Sequence, residues 1–205
     1  MKIYIEGGGN SKEERARCRE GFRKLFEKAG FSEGRMPRTV ACGSRNDAFK
    51  DFQIGLKSRA QVSLMLVDSE DPVANITEDV DNNCVWQHLK TRDGWVRPES
   101  AANRQALLMA TCMESWICAD QATIFEHYGT TQVQRNALPS LPILETHDRH
   151  LVQDKLGHAT RNSTKPYKKG NRSFDLLAKL NPDTLKRHLS QFRRLVAVLN
   201  EVMPK

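Results

Sequence analysis

The chain has 205 residues, of which 39% are hydrophobic and 28% charged, and a formal net charge of +7. That length allows one domain with an appendage, or two small ones, with enough residues to bury a sizeable core. No apolar run approaches the roughly 18 residues of a membrane span, and Met1–Glu6 lacks the long apolar region of a signal peptide, so a cytoplasmic protein is expected. Five cysteines with no CxxC pair predict free thiols rather than a disulfide framework or a zinc set.

In chain order, Lys2–Glu6 is a β-prone run that ends on an acid. Gly7-Gly8-Gly9-Asn10-Ser11 follows, and then a helix predicted over Lys12–Ala29. Cys18, Phe22, Leu25, Phe26 and Ala29 give that helix an apolar face at three- and four-residue spacing. Asn10 or Ser11 is a suitable cap for it. Gly7, Gly8 and Gly9, with Lys12 at the helix start, are candidates for binding phosphate through backbone N–H groups. A plain tight turn is the alternative, and the Walker A spacing is absent. Arg38–Cys42 is a second predicted strand, Gly43–Asp47 a loop, and Ala48 to about Arg59 a second helix. Arg45, in the loop, is a candidate nucleic-acid contact.

Val62–Asp68 is a short apolar run bounded by acids and a proline, the pattern of an inner strand of a parallel sheet. Ligands bind beyond the carboxyl ends of such strands, where Asp68 and Glu70 lie. No Lys or Arg occurs from Ala60 to Leu89, while Asp68, Glu70, Asp71, Glu78, Asp79 and Asp81 accumulate. A divalent cation is a natural counter-charge, and a solvated acidic loop is the alternative. Three strands joined by helices predict right-handed crossovers and convergence of Glu6, the Gly43–Asp47 loop and Asp68/Glu70 on one sheet edge.

Residues 72–103 read as an excursion carrying Trp86, His88, Trp95 and an Arg92-Asp93-Gly94 turn. Leu107–Cys112 is a candidate fourth strand, and one helix is expected from Met113 towards Tyr128. Glu114, just past that strand, is a candidate further carboxylate ligand. From Arg149 onward there are thirteen Lys/Arg against four Asp/Glu, so this part carries about +9 and the remainder about −2. The expected organisation is a core over 1–148 and a basic segment over 149–205 packed on it. Arg149–Ser173 reads as a basic loop, with Lys165, Lys168, Lys169 and Arg172 as candidate phosphate contacts. One helix is predicted after Asn181-Pro182, burying Leu185, Leu189, Phe192, Leu195 or Val196, Leu199 and Val202 and exposing Lys186, Arg187, Arg193 and Arg194.

Several stretches carry a resemblance. They are Ile3-Tyr-Ile-Glu6-Gly-Gly-Gly, Met36–Asn46, Leu66-Val-Asp68-Ser-Glu70-Asp71-Pro, Gln87-His-Leu with Arg92-Asp-Gly-Trp95, Cys112-Met-Glu114-Ser-Trp-Ile-Cys-Ala-Asp120, and more faintly Lys168–Leu180. In these the chain resembles the bacterial domain-of-unknown-function family 4276, itself similar to the TOPRIM fold of primases, topoisomerases and overcoming-lysogenization-defect nucleases. The resemblance implies an α/β fold with a TOPRIM-like, mostly parallel sheet flanked by helices and a basic helical C-terminal extension. It implies a nuclease using Mg²⁺ or Mn²⁺ held by Glu6, Asp68 and Glu70, with Glu114 as a further ligand. It also implies a role in a phage-defence or toxin-like module controlled by a co-encoded AAA or ABC-type ATPase. TOPRIM enzymes typically carry Asp-x-Asp where this chain has Asp68-Ser-Glu70. A non-catalytic module binding nucleic acid or nucleotide, and a subunit that docks on an ATPase, are the competing expectations.

Overall fold

Strands that alternate with amphipathic helices must pair side by side in parallel, and the chain does so. In a computed structural model, described over residues 1–58 and 61–204 without the side chains of Glu33 and Asn171, four strands form one sheet. They are β1 (Lys2–Glu6), β2 (Arg38–Gly43), β3 (Ser63–Asp68) and β4 (Ala106–Met109), in the order β2-β1-β3-β4. Every pairing is parallel, so all four carboxyl ends lie at one edge.

The two-residue repeat of the strands sorts their side chains between two faces. Ile3, Ile5, Leu64, Leu66, Leu107 and Met109 face one core, where Phe22, Leu25 and Phe26 of α1 (Lys12–Lys28) cover them. Tyr4, Met65, Val67, Ala106 and Leu108 face the other, under Ala48 and Phe52 of α2 (Arg45–Leu56) and Val85, Trp86 and Leu89 of α3 (Cys84–Asp93). All six residues of β3 are buried, as its unbroken apolar run requires of a strand covered on both faces. Ser11 and Ser44 cap α1 and α2 by accepting the N–H of Glu14 and of Asp47. The second helix thus begins three residues before its predicted start, and Arg59, its expected end, lies outside the described residues.

The remaining helices are α4 (Met113–Ala119), α5 (Gln121–Tyr128), α6 (Arg149–Thr160), α7 (Asn171–Leu177), α8 (Pro182–His188) and α9 (Ser190–Val202). They stack on the α1 side and share its core. Trp116 of α4 meets Phe22 edge-on at 6.2 Å and Phe192 of α9 at 5.0 Å. Residues 149–204 therefore complete the same hydrophobic core as β1 and α1. Gly21 lets α1 and α7 touch, since a Cβ there would stand 2.8 Å from the Phe174 carbonyl. No helix among the described residues is long and apolar enough to cross a membrane.

Four expectations are corrected. The expected basic loop begins with a true helix, α6, capped by Asp148 and burying Val152, Leu156 and Ala159 at helical spacing. The expected helix from Met113 to Tyr128 is broken at Asp120, whose carboxylate takes the Thr123 N–H and starts a new helix. The helix after Asn181 is broken at Leu189, because Glu145 accepts from Ser190 N (2.7 Å) and Gln191 N (2.9 Å) and so caps α9 from outside. Arg194, read as exposed, has no solvent exposure at all.

Arg194 donates to the carbonyls of Ala106 (2.9 Å), Val80 (3.0 Å), Asp79 (3.3 Å) and Asn103 (3.4 Å). Burial lowers its pKa, yet a guanidinium remains charged under any ordinary condition. One side chain thereby ties α9 to the start of β4 and to the loop that precedes α3. Arg194→Ala leaves those carbonyls without a donor and opens a cavity, so a loss of about 3 kcal/mol is expected. Arg194→Lys should recover little, since one ammonium cannot span four acceptors. Urea unfolding followed by circular dichroism measures both; an unchanged midpoint for Arg194→Ala refutes the tie.

Candidate metal centre

Because the strands are parallel, Glu6, Gly43, Asp68 and Met109 arrive together at one edge. Glu6 accepts the Asp68 N–H at 3.1 Å, so the ends of β1 and β3 are pinned by a side chain where the ladder stops. Asp68 accepts the N–H of Met113, the first residue of α4, at 2.9 Å. Glu70 stands at φ 68°, in the left-handed region, with its N–H donating to the Thr111 carbonyl at 2.7 Å. Oxygens of Glu6, Asp68 and Glu70 lie within 4.8 Å of one another. The structure thus brings together the three carboxylates that the sequence nominated.

A cleft of about 290 Å³ opens on this edge, lined among others by Gly7–Gly9, Glu14, Gly43, Met113, Lys169 and Phe174. Burial pushes the Asp68 carboxyl well above its ordinary range, and the charges of Glu6 and Glu114 push it further; Lys169 and the Met113 N–H oppose the rise. Burial likewise raises Glu6, against the pull of Arg45. A desolvated, convergent set of hard carboxylate oxygens is what a small divalent cation would satisfy, so the residues present fit Mg²⁺ or Mn²⁺.

Three arginines already crowd the rim. Arg45 donates to both oxygens of Asp93 (3.0 and 2.6 Å), to Glu6 (3.4 Å) and to the Asp68 carbonyl. Its guanidinium lies 4.9 Å from the Trp95 ring, which itself stacks on Phe49 at 4.4 Å. Arg45 is therefore committed to the scaffold and only 12% of its side chain is exposed, which removes it from the expected nucleic-acid contacts. Glu70 meets Arg92 at 3.3 Å and also contacts Arg149, ion pairs that lack hydrogen-bond geometry. His88 holds the Ser69 carbonyl at 2.8 Å and acts in the scaffold rather than as a ligand.

Glu114 lies apart from the convergent set. Fully buried, it lines the cleft but accepts from Tyr167 Oη (2.6 Å) and Gln153 Nε2 (3.2 Å). Burial and the Glu114 charge drive the Tyr167 phenol far up, so it stays a donor. In the glycine turn the Gly7 N–H is used by Gly43 O (3.0 Å), and the Gly43 N–H returns to Gly7 O (2.9 Å). Lys12 is exposed at the start of α1; the side chain beside the turn is Glu14, whose carboxylate would be 2.4 Å from a Cβ on Gly9. That acid opposes a phosphate directly over the turn. Of the basic residues, Lys169 reaches the cleft, Lys165 and Lys168 are exposed and do not line it, and Arg172 donates to Pro166 O at 2.7 Å. Arg92, Asp93, Arg149, Gln153 and Tyr167 were not nominated as site residues; Arg92 and Asp93 belong to a turn that the sequence singles out, and no local spacing marks the other three.

No family model, curated protein or solved structure matches the chain.

The raised Asp68 carboxyl makes stability depend on pH. It binds its proton more tightly in the folded chain than in the unfolded one. Stability therefore falls as pH rises from the ordinary carboxylate range through the folded value. Asp68→Asn keeps an acceptor for the Met113 N–H and removes that charge. In chelator-containing buffer the variant should melt above the wild type at neutral pH, with the gap shrinking towards about pH 4. Added Mn²⁺ should stabilise the wild type alone. Thermal denaturation across pH measures this, and a gap indifferent to pH contradicts it.

Proposed function

We propose that the chain is a divalent-metal-dependent nuclease of TOPRIM-like kind, hydrolysing phosphodiester bonds of DNA or RNA. The observation that carries this reading is the convergence of Glu6, Asp68 and Glu70 within 4.8 Å of one another at the carboxyl edge of a parallel sheet. When bound there, Mg²⁺ or Mn²⁺ supplies a Lewis acid for the phosphoryl oxygen and for the departing oxygen. Asp68, oriented by the Met113 N–H, and Glu70, fixed by its own N–H on Thr111, would hold the ion. Glu6, made more basic by burial, either shares the ion or accepts the proton of the attacking water. Lys169 at the cleft draws the phosphate in, and the exposed Lys165 and Lys168 of the same segment would add positive charge for the strand.

A second reading, binding of nucleic acid without cleavage, has its own support. Arg45 on Glu6, and Arg92 and Arg149 on Glu70, supply counter-charge from within the chain. Cleavage assays on single- and double-stranded DNA and RNA separate the two. Asp68→Asn should lower Mg²⁺- or Mn²⁺-dependent cleavage at least ~100-fold, equivalent to about 2.7 kcal/mol of transition-state stabilisation. Glu70→Gln should fall in the same direction by less, since a water can replace one oxygen. Equal cutting by wild type and Asp68→Asn refutes the nuclease. Binding without cutting under every metal condition installs the second reading. The controlling AAA or ABC-type ATPase, and the phage-defence or toxin-like setting, are proposed on the family resemblance alone; co-purification with the product of a neighbouring gene tests them.

A further inference from the structure

Away from the basic rim at Lys169, a second positively charged surface lies along the open side of the sheet. β2 is an edge strand, and a groove of about 560 Å³ runs between it and α1. Arg15, Arg19, Arg23 and Arg38 line this groove, and no acid does. The first three recur every four residues on α1, so they stand in one row, each about 6 Å of helix axis from the next. Arg23 shares its charge with Glu20 (2.9 Å) and Glu27 (3.2 Å). Arg19 and Arg38 are exposed and form no ion pair among the described residues.

The row begins at the cleft. Arg15 donates to the Gly9 carbonyl at 3.3 Å, and a Cβ on Gly43 would stand 3.2 Å from its guanidinium and 2.7 Å from that same carbonyl. Gly9 and Gly43 both line the carboxylate cleft. Groove and cleft thus adjoin at one corner, where the missing side chain on Gly43 lets the Gly9 carbonyl and the Arg15 guanidinium pack against the cleft wall.

We infer that this groove is the track of the nucleic-acid strand, carrying its sugar–phosphate backbone from the carboxylate cleft along Arg15, Arg19 and Arg38. The inference rests on the nuclease reading for its substrate class and adds the path. Planar guanidinium forks match phosphate oxygens two at a time, which favours this occupant over a simple counter-ion. No aromatic side chain lines the groove for bases to stack on, so it reads phosphates and not sequence. The other polymer that the surface would admit is an acidic peptide. Arg38 donates its N–H to Met1 O, so by strand alternation Thr39 and Ala41 turn their backbone groups to the groove, where an added strand could pair. Four arginines in a groove that adjoins the carboxylate cleft through Arg15 decide for nucleic acid.

The test is binding of fluorescein-labelled single- and double-stranded DNA and RNA oligonucleotides to the full chain in chelator-containing buffer, by anisotropy over a salt series. Arg19→Gln with Arg38→Gln should flatten the dependence of log K on log salt by roughly 1.4 on single strands and 1.8 on duplexes. It should also weaken binding by more than roughly tenfold at 0.1 M salt. Arg19→Lys with Arg38→Lys should restore the slope, and Arg187→Gln, an exposed charge on α8, should change neither quantity. The track is overturned by a double Gln variant that binds like the wild type, by an equal loss in Arg187→Gln, or by a Lys pair that fails to restore the slope. It is equally overturned if the wild type holds a polyglutamate peptide but none of the four oligonucleotides. Binding that follows the expected pattern while Mg²⁺ and Mn²⁺ give no cleavage would retire the nuclease reading and leave the track standing.

Discussion

Negative charge withdrawn from water is the constraint on which the rest of the structure depends. Asp68 and Glu114 are buried, Glu70 nearly so, and Glu6 largely sheltered, all at one edge of one sheet. Such carboxylates persist only if donors and cations are supplied, and each neighbouring element supplies one. The start of α4 gives the Met113 N–H, α2 gives Arg45, α3 gives Arg92, α6 gives Arg149 and Gln153, and the segment before α7 gives Tyr167. Positions far apart in the chain thus answer to a few oxygens. Asp93 and the Trp95 ring extend the same logic outward by holding Arg45 in place.

The two cores explain how such a site tolerates this charge. Alternate residues of every strand go to opposite faces, so both faces are apolar and only the strand ends are free to be polar. α1 covers one face together with α4–α9, which stack beside it and share its core. Trp116 sits where α1, α4 and α9 meet, and Glu145 and Arg194 fasten α9 from two sides. The basic C-terminal part is consequently both wall and floor of the site: its apolar side chains fill the core while Lys169 and Tyr167 face the cleft or its acids.

The strands and their acidic ends were legible because both signals are local. An apolar run that stops on Glu6 or Asp68 fixes the strand, and parallel pairing then brings the ends together. Glu114 follows a strand in the same way, yet its partners Gln153 and Tyr167 lie 39 and 53 residues away, and local spacing shows neither. Arg194 was misread for a related reason. Periodicity put it beside Arg193 on a charged face, whereas the carbonyls that justify its burial belong to residues 79–106. The breaks at Asp120 and Leu189 follow the same rule: apolar spacing runs straight through both, and a capping carboxylate decides. For Leu189 that carboxylate is Glu145, over forty residues upstream.

Glu70 bears a consequence of another kind. A side chain larger than hydrogen at φ 68° costs about 1–2 kcal/mol relative to a relaxed backbone, and glycine would relieve most of it. Its ion pairs with Arg92 and Arg149 offset part of that cost, yet Arg92 would keep Asp71 and Asp93 as partners if the acid were absent. The position is therefore one where folding and chemistry pull apart. Ranked by thermostability alone, a library at residue 70 would favour glycine or asparagine. A library ranked by what the cleft can hold would keep the carboxylate. Divergence of the two rankings at a single codon would mark this residue as one the fold tolerates and the site requires.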